Sequence, residues 1–579
     1  YSAALFITDA ENTITSDFVA LYTASAGGSN DDNTEGEGGE AVTPDPEPEP
    51  EPEPELPEPD VPAVEAGPNN SISYTTSDTN ELMLYTEMGF GANIVSTTYD
   101  AEKREGTFIF DGDITRIPTM AFKNCLTLVT VTLPGSITKI EDEAFYECKA
   151  LTAIDVPNTV QSIGISAFYN CIALKSANLG TGVTSIADYA FKSCSALESI
   201  TIPESVTTIG SQVFMYCSGL TAFYGKFSSP DKRSLIIDGT LCYFAPAGVT
   251  EYTVSNTATV IGMHSFYDFD ELTSITIPNT VTDIKKSAFC ECSNLAAANI
   301  GKGVTTIGDY AFHNTRLKTL TIPDNVTSIG DYAFKQCSSL TTATIGHGVQ
   351  TIGQEAFYEC KALSTVTIGN GVEKIGKHAF YNCTSMTGIT IGTGIVEMGE
   401  STFYGCKALN RVDISDLSAW CNINFGYLSN GHWYFTDTSN PLCYAKNLYL
   451  NGTLVTRLVI PSDVTAILPY AFYNADCLKV VTIHDNVTLI ENRAFDGCDE
   501  LTNASIGSGM LKIVDYAFYG CSKLGLVYCK AVNPPTSGYR MFYNNASGRK
   551  IYVPSASVDA YKSNSYWRDY SGAIYGYDF

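Results

Sequence analysis

The chain has 579 residues, enough for three or four ordinary domains or for one long repetitive one. Its 34 lysines and arginines stand against 63 aspartates and glutamates, and a formal charge of −29 argues against a whole-surface binder of nucleic acid or anionic membrane. Apolar residues make up 44% and charged residues 17%, as in a globular chain with a substantial core, and no apolar run approaches the ~18 residues of a membrane span.

The charge is unevenly placed. Residues 1–102 contain 22 acidic residues and no basic one, while the rest contain 41 acidic and 34 basic. The chain opens on Tyr1, so any export signal is expected upstream. Residues 1–30 are mildly apolar without a clear period and receive no assignment. Residues 31–69 include PDPEPEPEPEPELPEPD, in which proline alternates with carboxylate. Proline favours the extended polyproline II form and like charges repel, so this stretch reads as a disordered, solvated spacer. A ligand for a proline-reading module is the alternative.

An internal repeat of 23 residues follows. Equivalent phenylalanines stand at 122, 145, 168, 191, 214, 266, 289, 312, 334, 357, 380, 403, 472, 495 and 518, with a weaker copy at Phe542. One unit, FKSCSALESITIPESVTTIGSQV from Phe191, shows the physics. Ile200 and Ile202 are spaced by two and point one way from a strand, which Pro203 ends because it cannot donate to a ladder. Val206 and Ile209 point back inward, Gly210 allows a turn, and Val213–Phe214 closes the coil. A single coil cannot enclose its apolar residues. Stacking about sixteen at the ~4.8 Å strand spacing buries them in a column roughly 75 Å long.

Strings such as SIGDYAFKQCSSLTTATIG (328–346) resemble the leucine-rich repeat of the BspA-like family of bacterial surface proteins, over roughly residues 90–579. The resemblance implies a leucine-rich-repeat solenoid, a β-strand and an irregular or short helical return in each coil, closed at both ends. Residues 70–117 are the expected N-terminal cap, including the lead-in GANIVSTTYDAEKREGTFIFDGDITRIP (91–118). The solenoid runs over 118–527. Residues 528–579 form the closing repeat, where the last strand ends at Pro554 and a short helix brings Val558, Tyr561 and Trp567 over the final coil. It also implies a location on the bacterial surface or in the medium, and binding to host extracellular-matrix or cell-surface proteins or to other bacteria.

Residues with chemical potential are many, but they do not converge. Twelve of the 18 cysteines stand three residues after a repeat phenylalanine, one per coil, with no C-x-x-C pair. That spacing is wrong for zinc, and parallel side chains do not aim their sulfurs as a disulfide requires, so buried free thiols are expected. Cys290, in a lone C-x-C with Cys292, is expected to be the more exposed. Glycine pairs such as GKGVTTIG (301–308) fail the dinucleotide spacing and replace a proline turn. The six histidines (264, 313, 347, 378, 432, 484) fall in separate coils and read as ordinary surface residues. Threonines 132, 201, 276, 321, 344, 367, 390 and 482 share one outward strand position, with only Asp155 and Asp413 as acids in that column. These acids are too far apart to cooperate as acid and base. Neither catalysis, a cofactor nor a metal is expected.

Two features suggest recognition. Tyrosine often follows the repeat phenylalanine, as at Tyr358, Tyr381 and Tyr404, and offers large amphipathic contact area; packing over neighbouring coils is the plainer alternative. Two long steps between phenylalanines are inserts. Residues 221–254 hold two apolar runs around Asp238-Gly239 and predict a β-hairpin. Residues 413–459 hold an aromatic cluster that includes Trp420, Tyr427, Trp433, Tyr434 and Phe435, with 428–440 as an added loop; a structural flap is again the plainer alternative. The resulting expectation is a non-enzymatic, monomeric adhesin or interaction scaffold. A glycan-binding accessory protein is the alternative.

Overall fold

The computed structural model describes residues 68–85, 89–429, 432–435 and 437–579, with the side chains of 427–437 outside the described part. Residues 1–30 and the proline-glutamate run also lie outside it. The rest winds into a leucine-rich-repeat β-solenoid of about 20 turns, with repeats of about 23 residues and little helix. The turn count exceeds the sixteen read from the phenylalanines because strands without one also join the stack. Leu448–Leu450 in the second insert and Ile574–Tyr577 near the end of the chain are examples. The latter pairs in parallel with Lys550–Pro554, so the sheet continues past the strand expected to be its last.

Each regular turn carries a four-residue strand and a two-residue strand. In Ser199–Ile202, Ile200 and Ile202 are buried, while Ser199 and Thr201 face outward. The period-2 alternation of a pleated strand dictates this division. Strands of successive turns pair in parallel at an offset of one repeat, as Thr342 with Thr365 and Thr344 with Thr367. The repeat phenylalanines stack beneath, with ring centroids 4.8 Å apart for Phe122 and Phe145 and 5.1 Å apart for Phe145 and Phe168.

A third ladder runs through the phenylalanine turns. Two residues flanking each phenylalanine at a distance of two adopt the left-handed conformation, as at Glu143 (φ 54°) and Glu147 (φ 58°). Each such non-glycine residue costs on the order of 1–2 kcal/mol. In return, the N–H groups of Glu143, Phe145 and Glu147 all face the next turn. They donate to the carbonyls of Ile165, Ala167 and Tyr169 at 2.8, 2.7 and 2.8 Å.

The cysteines complete this arrangement. Cys148 Sγ donates to the Phe122 carbonyl at 3.0 Å, and Cys171 Sγ to that of Phe145 at 3.2 Å. The same bond recurs from Cys194, Cys217, Cys292, Cys337, Cys360, Cys383, Cys406, Cys498 and Cys521. All 18 thiols are free, and burial pushes Cys171 and Cys217 up to about 12. Cys290 is 6% exposed and Cys292 fully buried, so Cys290 is the more accessible of the pair, as expected, although both are buried.

Both inserts interrupt the two parallel sheets. The first contains the predicted hairpin, Ser234–Ile237 against Thr240–Phe244, turning on Asp238 (φ 48°) and Gly239 (φ 76°). Two successive positive φ values are the signature of the tight turn that fits strand twist. Ile209, expected to point inward like its counterparts, is only half-buried because its short strand is the last of its sheet.

Candidate interaction surface

The tyrosines of successive turns come together. Tyr358, Tyr381 and Tyr404 form a continuous stack with centroids 4.9 Å apart at each step and interplanar angles of 6° and 18°. Tyr404 is exposed and the other two are half-buried. Upstream, Tyr310 stacks on Tyr332 at 4.5 Å, and Lys335 Nζ lies 5.0 Å from the Tyr332 ring and 4.6 Å from that of Tyr358. Lys335 also pairs with Glu355 at 2.9 Å. The rings cover one another's faces, so the stripe offers edges and hydroxyls. Burial and the neighbouring tyrosine and glutamate side chains raise the Tyr358 hydroxyl, so it stays protonated and can donate.

A second face is the outward side of the strands Thr319–Ile322, Thr342–Ile345 and Thr365–Ile368. It presents Thr319, Thr321, Thr342, Thr344, Thr365 and Thr367, all exposed. Each acid of this column is held by a neighbouring side chain. Asp155 accepts from Asn178 Nδ2 at 2.6 Å, and Asp413 accepts two bonds from Arg411 at 2.5 and 2.7 Å. The Arg411 guanidinium also lies 4.1 Å from the Tyr449 ring centre.

The second insert sorts its aromatics. Trp420 is 1% exposed and donates its indole N–H to the Ala471 carbonyl at 2.9 Å, so its role as a partner contact is corrected to a core role. Its short helix Leu417–Cys421 is capped by Asp416, whose carboxylate accepts from Ala419 N–H; the helix turns Leu417, Trp420 and Cys421 inward together. Phe425 is buried against it, with centroids 5.4 Å apart. The strands Asn424–Ser429 and His432–Phe435 pair antiparallel, with Tyr427 opposite Tyr434 and Leu428 opposite Trp433. The side chains of Tyr427, Trp433, Tyr434 and Phe435 are outside the described part.

Four of the histidines are less exposed than the surface residues expected. His264, His313, His378 and His484 are half-buried, and His347 is exposed. Burial lowers the pKa of His264, His313 and His378, since the phenylalanine turn packs them beside neighbouring rings. Among the described residues no group of three or more histidines, cysteines or acids is placed to hold a metal ion, and no helix is long and apolar enough to cross a membrane. Sequence reasoning missed the thiol ladder and the Lys335–tyrosine contact. The former was signalled by the fixed three-residue offset between phenylalanine and cysteine.

Stacked parallel strands, one repeat per turn, and an apolar column closed by phenylalanine define a leucine-rich-repeat solenoid. The sequence matches the BspA type leucine rich repeat region, in 6 copies, over residues 94–224, 241–341, 327–430 and 445–571. The protein belongs to that family. No curated protein matches it. Similar solved structures include a leucine rich cell surface protein from Faecalibacterium prausnitzii, 24% identical over 54% of this chain and 72% of that one, with a TM-score of 0.36. A leucine-rich repeat protein from Bacteroides ovatus is 21% identical over 84% of this chain and 92% of its own, with a TM-score of 0.35. The pneumococcal vaccine antigen PcpA is 20% identical over 52% and 80%, with a TM-score of 0.38.

Proposed function

We propose that this protein is a non-enzymatic, monomeric interaction scaffold at the bacterial surface, holding other macromolecules along the faces of its solenoid. The observation that carries the reading is the unbroken stack of Tyr358, Tyr381 and Tyr404. It sets aromatic edges and hydroxyls at a fixed repeat and at low entropic cost. Host extracellular-matrix or cell-surface proteins, or other bacteria, are the partners implied by the family resemblance. To test this, the immobilised full chain is probed with fibronectin, fibrinogen, epithelial cells and neighbouring bacteria. Saturable binding is expected, weakened about tenfold or more when Tyr358, Tyr381 and Tyr404 are all changed to alanine. No saturable binding to any of them would overturn the reading.

A second reading is glycan binding through the insert. It is favoured by the antiparallel register that sets Tyr427 opposite Tyr434 and places Trp433 and Phe435 on the same short strand. A glycan array comparing the full chain with one lacking 428–440 tests it. Identical profiles from the two chains would dismiss it.

A further inference from the structure

We infer that the hairpin of the first insert is a septum dividing the solenoid into two separately cooperative bodies, one on its N-terminal and one on its C-terminal side. The apolar interior forms two clusters, and the boundary runs through this hairpin. Leu235 and Ala245 belong to the N-terminal cluster, whereas Leu241 and Phe244 belong to the C-terminal one. Half-buried side chains follow the same division, with Tyr243 on the N-terminal core and Ile236 on the C-terminal core.

A bulge makes this possible. The pairing runs Leu235 with Tyr243 and then Ile236 with Leu241, leaving Cys242 as the extra residue. A bulge reverses the alternation of the strand on either side of it. Leu241 and Tyr243 would otherwise point the same way, but here they enter different cores.

All three ladders stop at this level. One sheet ends at Ala222–Gly225 and its successor begins at Glu251–Thr253; the short-strand sheet ends at Thr208–Ile209 and restarts at the hairpin. The stack of phenylalanines breaks as well. Phe214 meets Tyr243 edge-on at 5.4 Å, and Phe244 begins the next stack on Phe266 at 4.7 Å. Backbone contact across the junction is sparse, with Ala247 N–H to the Leu220 carbonyl at 3.0 Å as one example. In a stacked array, cooperativity travels through the interfaces between neighbouring repeats, so an interface stripped of its ladders is where it fails.

The chain carries its own reporters. Cys125, Cys148, Cys171, Cys194 and Cys217 lie in the N-terminal body, and all three tryptophans lie after residue 241. The full chain is unfolded stepwise in denaturant, pulsed with a thiol-alkylating reagent at each step, and read by mass spectrometry. Leu235→Asp is expected to raise alkylation of those five thiols about tenfold or more at low denaturant. The midpoint for Cys337 to Cys521 and for tryptophan fluorescence is expected to stay in place. Leu241→Asp is expected to do the reverse. If either variant shifts both groups together, or exposes every thiol without denaturant, the solenoid is one cooperative body and the inference is overturned.

Discussion

The two inserts interrupt the same sheets with different consequences. At the first, the hydrophobic column divides. At the second, the column continues without a break from Phe403 to Phe472, although both parallel sheets stop there too. The difference lies in what replaces the missing phenylalanine turn. In regular coils the carbonyl before each phenylalanine accepts from the phenylalanine N–H of the preceding turn. At the second insert, Trp420 Nε1 and Asn440 Nδ2 both donate to that carbonyl instead, reaching Ala471 at 2.9 and 3.3 Å. The Trp420 ring also fills the column. A solenoid therefore tolerates loss of its backbone ladders where side chains supply both the donors and the volume.

The largest effect expected from this contrast is alkaline. Burial holds the Cys171 and Cys217 thiols protonated up to about 12, against an ordinary value of 9.0. Below 9 both folded and unfolded chains keep these protons, and the thiols leave stability unchanged. Above it only the unfolded chain releases them, so stability falls by about 1.4 kcal/mol per pH unit for each such thiol until the folded value is reached. A pH titration from 8 to 12 followed by circular dichroism and tryptophan fluorescence should show two transitions. The steeper belongs to the body after the first insert, which holds more buried thiols.

Trp420→Ala comes next. It removes a buried ring and the donor to Ala471, and is expected to cost about 3–5 kcal/mol. Pulsed alkylation should then separate Cys337–Cys406 from Cys498 and Cys521, giving the second insert the behaviour of the first. Trp420→Phe, which restores most of the volume but not the donor, distinguishes the two contributions.

Cys383→Ala removes one rung of the thiol ladder, its bond to the Phe357 carbonyl at 3.2 Å, and is expected to cost about 1–3 kcal/mol in a denaturant titration. Its effect should be confined to the body after the first insert. The smallest change is Tyr381→Phe. It leaves the stack intact and is expected to alter stability by less than about 0.5 kcal/mol. Any loss of partner binding in that variant reports on the hydroxyl alone.

Much of this was legible in the sequence because the repeat carries it. The inward Ile200 and Ile202, the outward Thr344 and Thr367, and the turn at Asp238-Gly239 each follow from a local period or a turn residue. The inserts were less legible because they leave the period. Trp420 reads as a candidate contact from composition, yet its helix cap at Asp416 turns it inward. Leu235, Cys242 and Tyr243 gave no sign of a bulge, since a one-residue change of register has no signature in a single strand. Of the candidate residues, the repeat aligned Tyr358, Tyr381 and Tyr404 correctly, because equal spacing along a regular solenoid is adjacency in space.

The phenylalanine turns also give the molecule a direction. Every N–H that Glu143, Phe145 and Glu147 send out goes toward the following turn, and none returns. During synthesis, each newly emerged coil therefore holds unanswered donors until the next 23 residues arrive to accept them. Each coil contacts chiefly its neighbours, so the chain can settle as it is made without awaiting distant segments. The geometry permits vectorial assembly, with the phenylalanine-turn donors of the growing tip the last to be answered.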